Sequence, residues 1–336
     1  MVRITTGKSD SLDEILTKHW GKISPFSEAM GRYWKNSLPQ RITDQRNVHA
    51  LAGRVAETSF YDTLIAENYQ LTKDIVCCHP ADFTALIAQL EALHAQLGLV
   101  SSTANVDNFG YELLNEVFTY SNWRTSYASM ELLKWLGIQV CVYCNMDLVW
   151  EDSERDLAIV SYDHFFDKSS YPYLALSFYN LIPACQPCNQ NYKHMRPFSL
   201  ATHYHPYLDN YNESNVFQHD YVDDDTPYRV NIFNHSGNQK SVLFNADLGL
   251  ENRYNQDNIK KNARSIYKIS QRYPGSKKNQ LVSDWGLVDI HQVEKSICEE
   301  EDIPFNESTI LNHQYGKLKR DFALHSHIFG SDNPLL

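Results

Sequence analysis

The chain has 336 residues, 43% of them hydrophobic, which is long enough to bury a sizeable core in one large domain or in two to three smaller ones. No apolar run approaches the roughly 18 residues that a membrane-spanning helix needs, and the opening residues lack a signal-peptide core, so a soluble cytoplasmic protein without a membrane partner is expected. With 30 Lys and Arg against 41 Asp and Glu, the formal charge of −11 counts against unaided, promiscuous binding to a polyanion.

Residues 1–137 read as a helical N-terminal domain, a candidate for docking a partner. Ser11 and Glu14 have capping-box spacing ahead of an apolar face of Leu12, Ile15, Leu16 and Trp20. Pro80 precedes a second amphipathic stretch through Phe83, Leu86, Ile87, Leu90, Leu93 and Leu97, closed by Gly98. A third runs through Leu113, Leu114, Val117 and Phe118, and a fourth from Tyr127 through Met130, Leu133 and Leu136 to Gly137. These stripes are best read as core packing. Of the seven cysteines, Cys77, Cys78 and Cys298 stand outside any spaced pair, and the adjacent Cys77 and Cys78 are expected to be buried helix-start thiols rather than a second metal or redox site.

From 138 to 200 the texture changes to short β-prone pieces and turns, with strands expected at 138–140 and 157–162. Cys141 and Cys144 form one CxxC pair, and Cys185 and Cys188 form another. A CxxC loop brings two thiolates to one ion from a tight turn, and a second loop completes a tetrahedron, which predicts a structural Zn2+ with no open position for water. Forty residues separate Cys144 from Cys185, more than a simple zinc ribbon uses, so the insert carries something else.

That insert contains Asp163-His164, Lys168 and Asn180, and Asn189 and Lys193 follow the last cysteine. A strand ending in Asp-His, a return through Asn180 and a short helix beginning near Cys188 would form a ββα unit. His164 suits general-base work near neutral pH. Asp163 and the amide oxygen of Asn189 are hard donors for a divalent cation. Asn180 would orient His164 or brace the loop, and Lys168 and Lys193 are placed to contact phosphates. The joint order Cys-Cys, Asp-His, Asn, Cys-Cys-Asn points to phosphodiester hydrolysis. It leaves DNA, the favoured substrate, and RNA such as tRNA both open. A zinc-stabilised binding module is the non-catalytic alternative.

Residues 141–193 resemble an HNH endonuclease of the four-cysteine type, in its HNN form because Asn189 stands where the last His is often found. The run from Asp163-His164-Phe165 through Lys168, Tyr171-Pro172 and Asn180-Leu-Ile-Pro to Cys188-Asn189 also resembles the PtuB-like nucleases of Septu-type anti-phage systems. Short matches at 205–209 and 250–254 add to this, while Asp167 departs from the Pro often found before the Lys. The resemblance implies that His164 is the general base and that Asp163 and Asn189 hold Mg2+ or Mn2+. It implies that Cys141, Cys144, Cys185 and Cys188 hold Zn2+. It further implies a hetero-oligomeric complex with an ABC/SMC-type, PtuA-like ATPase.

Residues 201–336 read as a mixed region packed on the nuclease. His203 and His205 are expected in a docking turn rather than at a metal. A hairpin is expected from 228–233 and 241–244 around Gly237-Asn238, and a helix over about 256–272. On that helix Lys260, Lys261, Arg264, Lys268 and Arg272 fall within one arc, opposite Ile259 and Ile266, and form a candidate phosphate-backbone contact in a basic stretch running from Arg253 to Lys278. The acidic runs 223–225 and 299–302 are expected to be solvated. The expected fold class is α+β, a zinc-stabilised ββα-metal module set in a largely helical protein.

Overall fold

The structure is a computed structural model and describes residues 2–5, 10–97, 109–194, 196–219 and 229–334. It is a mixed architecture of helices with small antiparallel sheets. Helix α1 (Leu12–Ile23) begins at the expected capping box: Glu14 N donates to Ser11 Oγ at 3.2 Å and Ser11 N donates to the Glu14 carboxylate at 2.6 Å. Helix α2 (Leu38–Leu51) is capped by Ser37. The segment α3 (Val55–Cys77) is two arms broken at Ala66–Tyr69, where Glu67, Asn68 and Tyr69 have positive φ. Helices α4 (Phe83–Gln96), α5 (Phe109–Val117), α6 (Tyr120–Arg124) and α7 (Tyr127–Leu136) follow. The stripe residues Leu86, Leu90, Leu113, Leu114, Val117, Met130, Leu133 and Leu136 are all buried, as their spacing requires. Gly137 ends α7 in the left-handed conformation, at φ 66°, and its N–H bonds to the Leu133 carbonyl. Gly98 lies outside the described residues. Cys77 and Cys78 are half-buried and close α3 rather than starting a helix.

Four two-stranded antiparallel sheets are present among the described residues. Strand β1 (Phe26–Ser27) pairs with β2 (Arg32–Tyr33), and β3 (Trp150–Asp152) with β4 (Leu157–Ile159). Strand β5 (Ser161–His164) pairs with β6 (Leu181–Ala184) in the register Asp163 opposite Ile182 and His164 opposite Leu181. Strand β7 (Asn215–His219) pairs with β8 (Val230–Asn234).

Three strand expectations need correction. The run 157–162 is split between β4 and β5, which serve different partners. Residues 138–140 contribute only the single bridge Val140–Leu148. The partner of β8 is β7, and 241–244 belongs to helix α8 (Gln239–Asp247). Asn238 caps that helix by accepting from Lys240 N, and Ser241 and Phe244, three apart, are both fully buried. The cap chemistry and a helical burial spacing override the β-prone side chains.

Helices α9 (Leu250–Tyr254), α10 (Asp257–Arg272), α11 (Gly275–Asp284), α12 (Ile290–Glu300) and α13 (Gly316–His325) complete the order. Buried side chains from Val2 to Phe329 form one contiguous cluster. Buried polar links stitch distant segments together. His19 Nε2 bonds the Leu176 carbonyl at 3.0 Å, and Tyr254 donates to the Cys144 carbonyl at 2.6 Å. Asn145 reaches the Ile310 carbonyl and accepts from Lys317 N. In the acidic run 299–302, Glu301 pairs with Arg272 and Asp302 with Lys319, while 223–225 lies outside the described residues. No helix among the described residues is long and apolar enough to cross a membrane.

Candidate functional site

The two CxxC loops converge. The sulfurs of Cys141, Cys144, Cys185 and Cys188 all lie within 4.8 Å of one another, and all four residues are buried. A tetrahedron with metal–sulfur bonds of about 2.3 Å has sulfur–sulfur edges of about 3.8 Å. Cys144 Sγ and Cys185 Sγ stand 3.8 Å apart, so the donor set fits Zn2+ in spacing as well as in softness. The four thiols are unequal: burial pushes Cys141 up, but hydrogen bonds with the other three outweigh it and hold Cys141 well below the usual range, whereas hydrogen bonds with Cys141 and Cys144, and then burial, push Cys185 and Cys188 up. Backbone N–H groups of Met146 and Cys188 donate to the sulfurs of Cys144 and Cys185, at 3.4 and 3.5 Å, a geometry that suits metal-bound thiolates. Asn145, at φ 56°, makes the tight turn after the first pair possible.

The second loop leads directly into a seven-residue helix, Pro187–Lys193, wound with an i to i+5 bond from His194 N to the Asn189 carbonyl at 2.9 Å. This helix lies against β5, because the Asn189 amide donates to Ser161 Oγ at 2.7 Å and reaches the Tyr162 carbonyl at 3.4 Å. With the nitrogen so engaged, the amide oxygen of Asn189 has no hydrogen-bond donor among the described residues.

Asp163, His164, Lys168, Asn189 and Lys193 line one cavity of about 460 Å³, together with Tyr120, Arg124 and His194. The His164 ring is buried and its Nε2 stands 3.1 Å from the Ala175 carbonyl. A carbonyl only accepts, so Nε2 carries the proton and Nδ1 keeps the lone pair of a base. Burial lowers the pKa of this imidazole from 6.5 to about 3, against a smaller opposing effect of the Ala175 carbonyl, so the ring is neutral at physiological pH. The Tyr120 ring packs edge-on against it at 4.5 Å.

The Asp163 carboxylate is held from two sides. Tyr143, inside the first CxxC, donates to Oδ2 at 2.6 Å, and Lys193 Nζ sits 3.1 Å from Oδ1 and 2.7 Å from the His164 carbonyl. Both charged side chains are buried, so Lys193 belongs to an internal ion pair rather than to an exposed phosphate contact. Lys168 is exposed and its ammonium lies 4.7 Å from the Tyr120 ring centre.

Asn180 does not line the cavity. It is fully buried, accepts from Phe166 N at 2.7 Å, and donates to the Phe166 and Leu174 carbonyls at 3.0 and 3.1 Å. Of the two roles left open for it, bracing the loop between β5 and β6 is the one its contacts describe.

The α10 residues Lys260, Lys261, Arg264, Lys268 and Arg272 also stay out of the cavity lining. Lys261, Lys268 and Arg272 are exposed, Lys260 pairs with Asp257 and Arg272 with Glu301, and Ile259 and Ile266 are buried on the opposite face. The ends of the basic stretch are a correction: Arg253 and Lys278 are both buried, and Lys278 pairs with Glu294. His203 bonds Asp247 and stacks on Phe198 at 3.8 Å, while His205 packs on Phe165, so both serve a docking turn.

Sequence reasoning missed Tyr143, Tyr120 and Arg124. Arg124 donates to the Ala158 and Val160 carbonyls and so fixes the turn between β4 and β5. Only Tyr143 carried a signal, as a polar aromatic residue inside a metal loop. Comparison with protein-family models, with curated proteins and with solved structures gave no match to the chain.

Proposed function

We propose that the chain is a metal-dependent endonuclease of the HNH class in its HNN form, cutting DNA as the effector of a prokaryotic anti-phage system with an ABC/SMC-type ATPase. The observation that carries this reading is a neutral imidazole, tautomerically fixed as a base, in one cavity with a buried carboxylate and an amide oxygen. His164 Nδ1 takes the proton of the attacking water. Asp163, oriented by Tyr143 and Lys193, and Asn189, oriented by Ser161, present hard oxygens that fit Mg2+ or Mn2+. Such a cation, when bound, supplies charge to the scissile phosphate and the leaving oxygen. Arg124 and Lys168 border the cavity as cations suited to phosphate oxygens.

A second cavity of about 570 Å³ shares Arg124, Ser161 and Gln190 with the first, which suits a polymeric substrate extending beyond the reacting group. The charge of −11 supports recruitment by a partner that supplies positive surface, with the exposed cations of α10 as a local exception. The test is incubation of plasmid and total RNA with the protein, with and without the ATPase, in Mg2+ or Mn2+ and in chelator. Plasmid nicking or linearisation that requires the cation supports the reading. Cleavage of RNA alone reassigns the substrate, and no cleavage of either under any condition leaves a binding module.

A further inference from the structure

Four thiolates around one Zn2+ carry a net charge of about −2, and a buried charge needs a compensating group. Arg253, which opens the basic stretch noted in the sequence, is buried against the cluster. Its guanidinium donates from Nη1 to Cys188 Sγ at 3.2 Å and to the Leu248 carbonyl at 3.4 Å. Nη2 lies 3.5 Å from the Asp147 carboxylate, just past the first CxxC. The guanidinium carbon stands 4.4 Å over the Tyr192 ring.

The surroundings are built to hold it. Gly249, at φ 58°, opens α9, and a Cβ there would stand 2.8 Å from the Tyr192 ring. The glycine therefore lets Tyr192 lie flat beneath Arg253. One residue on, Tyr254 bonds the Cys144 carbonyl and fixes α9 to the other CxxC loop.

We propose that Arg253 is the charge-compensating, positioning residue of the four-cysteine metal centre, hydrogen-bonded to the Cys188 sulfur and setting how tightly the metal is retained. This rests on the metal-centre reading of the cysteine cluster and is independent of the nuclease reading. A planar, permanently charged fork stacked on an aromatic ring suits this role, where a lysine would give a point charge without the stacking. An outer-sphere partner of this kind is worth about 10- to 100-fold in metal affinity.

The test uses the full-length, zinc-loaded protein and its Arg253→Gln variant. Zinc transfer to EDTA is followed by metal analysis, and the thiolate-to-metal charge-transfer band is recorded after Co2+ substitution. The proposal expects about tenfold or greater weakening of zinc retention in the variant. It also expects a charge-transfer band at longer wavelength, because loss of the cation raises the energy of the sulfur lone pairs. Arg253→Lys should recover part of both. Tyr192→Leu, which removes only the stacking surface, should move both in the same direction by less, and it serves if the glutamine variant does not fold. Wild-type zinc retention and an unmoved band in these variants would overturn the proposal. Absence of bound zinc from the wild type would instead remove the metal-centre reading beneath it.

Discussion

Asn180 is wholly enclosed, and its amide meets the N–H and the carbonyl of Phe166 and the carbonyl of Leu174. Truncation to Ala strands a buried N–H and two carbonyls, and each stranded group costs about 1–3 kcal/mol. Asn180→Ala is therefore expected to unfold at clearly lower denaturant, and Asn180→Asp, which turns a carboxylate toward two carbonyls, to be worse still. A wild-type midpoint for Asn180→Asp would show that the amide protons do not matter. Lys193 makes a different prediction. Removing one partner of a buried pair costs about 3–5 kcal/mol, because Asp163 is left charged and enclosed. Lys193→Met should lower the melting temperature in EDTA and recover part of it in Mg2+, since a cation can then satisfy the same carboxylate. Identical melting in EDTA and Mg2+ would place the cation elsewhere. At this scale the convergence of the four cysteines, and the common cavity of Asp163, His164 and Asn189, were legible because their spacing along the chain is itself the signal. The buried pairings of Tyr143, Lys193 and Arg253 were not, because their partners lie 20 to 65 residues away and depend on tertiary register.

Among the elements, helices with sustained apolar periodicity were readable and short β-prone runs were not. The capping box of α1 is present atom for atom, and Ser11→Ala is expected to cost about 1 kcal/mol, measured by chemical denaturation. In α8 the sequence Ser-Val-Leu-Phe favours a strand on side-chain preference alone, but Asn238 caps a helix and burial of Ser241 and Phe244 selects the helical spacing. The arc of α10 was legible as a helix face, with Lys261, Lys268 and Arg272 exposed and Ile259 and Ile266 buried opposite them. Its charges are partly spoken for by Asp257 and Glu301, which the sequence could place only in the first case, three residues away.

For the whole molecule, stability should depend on buried imidazoles. Burial lowers the pKa of His19 from 6.5 to about 4 and that of His205 from 6.5 to about 3, each opposed by a smaller backbone hydrogen-bond effect. The unfolded chain therefore binds protons that the folded chain refuses. The stabilisation is complete above about pH 6.5 and is withdrawn as the pH falls toward 4 and then 3. Melting temperature is expected to fall on acidification over that window, and His205→Gln to flatten the fall; a variant with an unchanged slope would contradict it. The contiguous core makes the cysteine centre a fastener for the molecule as well as for the cavity, since α9 and α13 both anchor on its loops. The central claim is that this fastened frame presents His164 as a base to a phosphodiester. Its most direct test is the single-turnover cleavage rate of His164→Ala against wild type at matched zinc content and matched melting temperature. The account predicts a loss of about 10²- to 10⁴-fold; cleavage at the wild-type rate would contradict it.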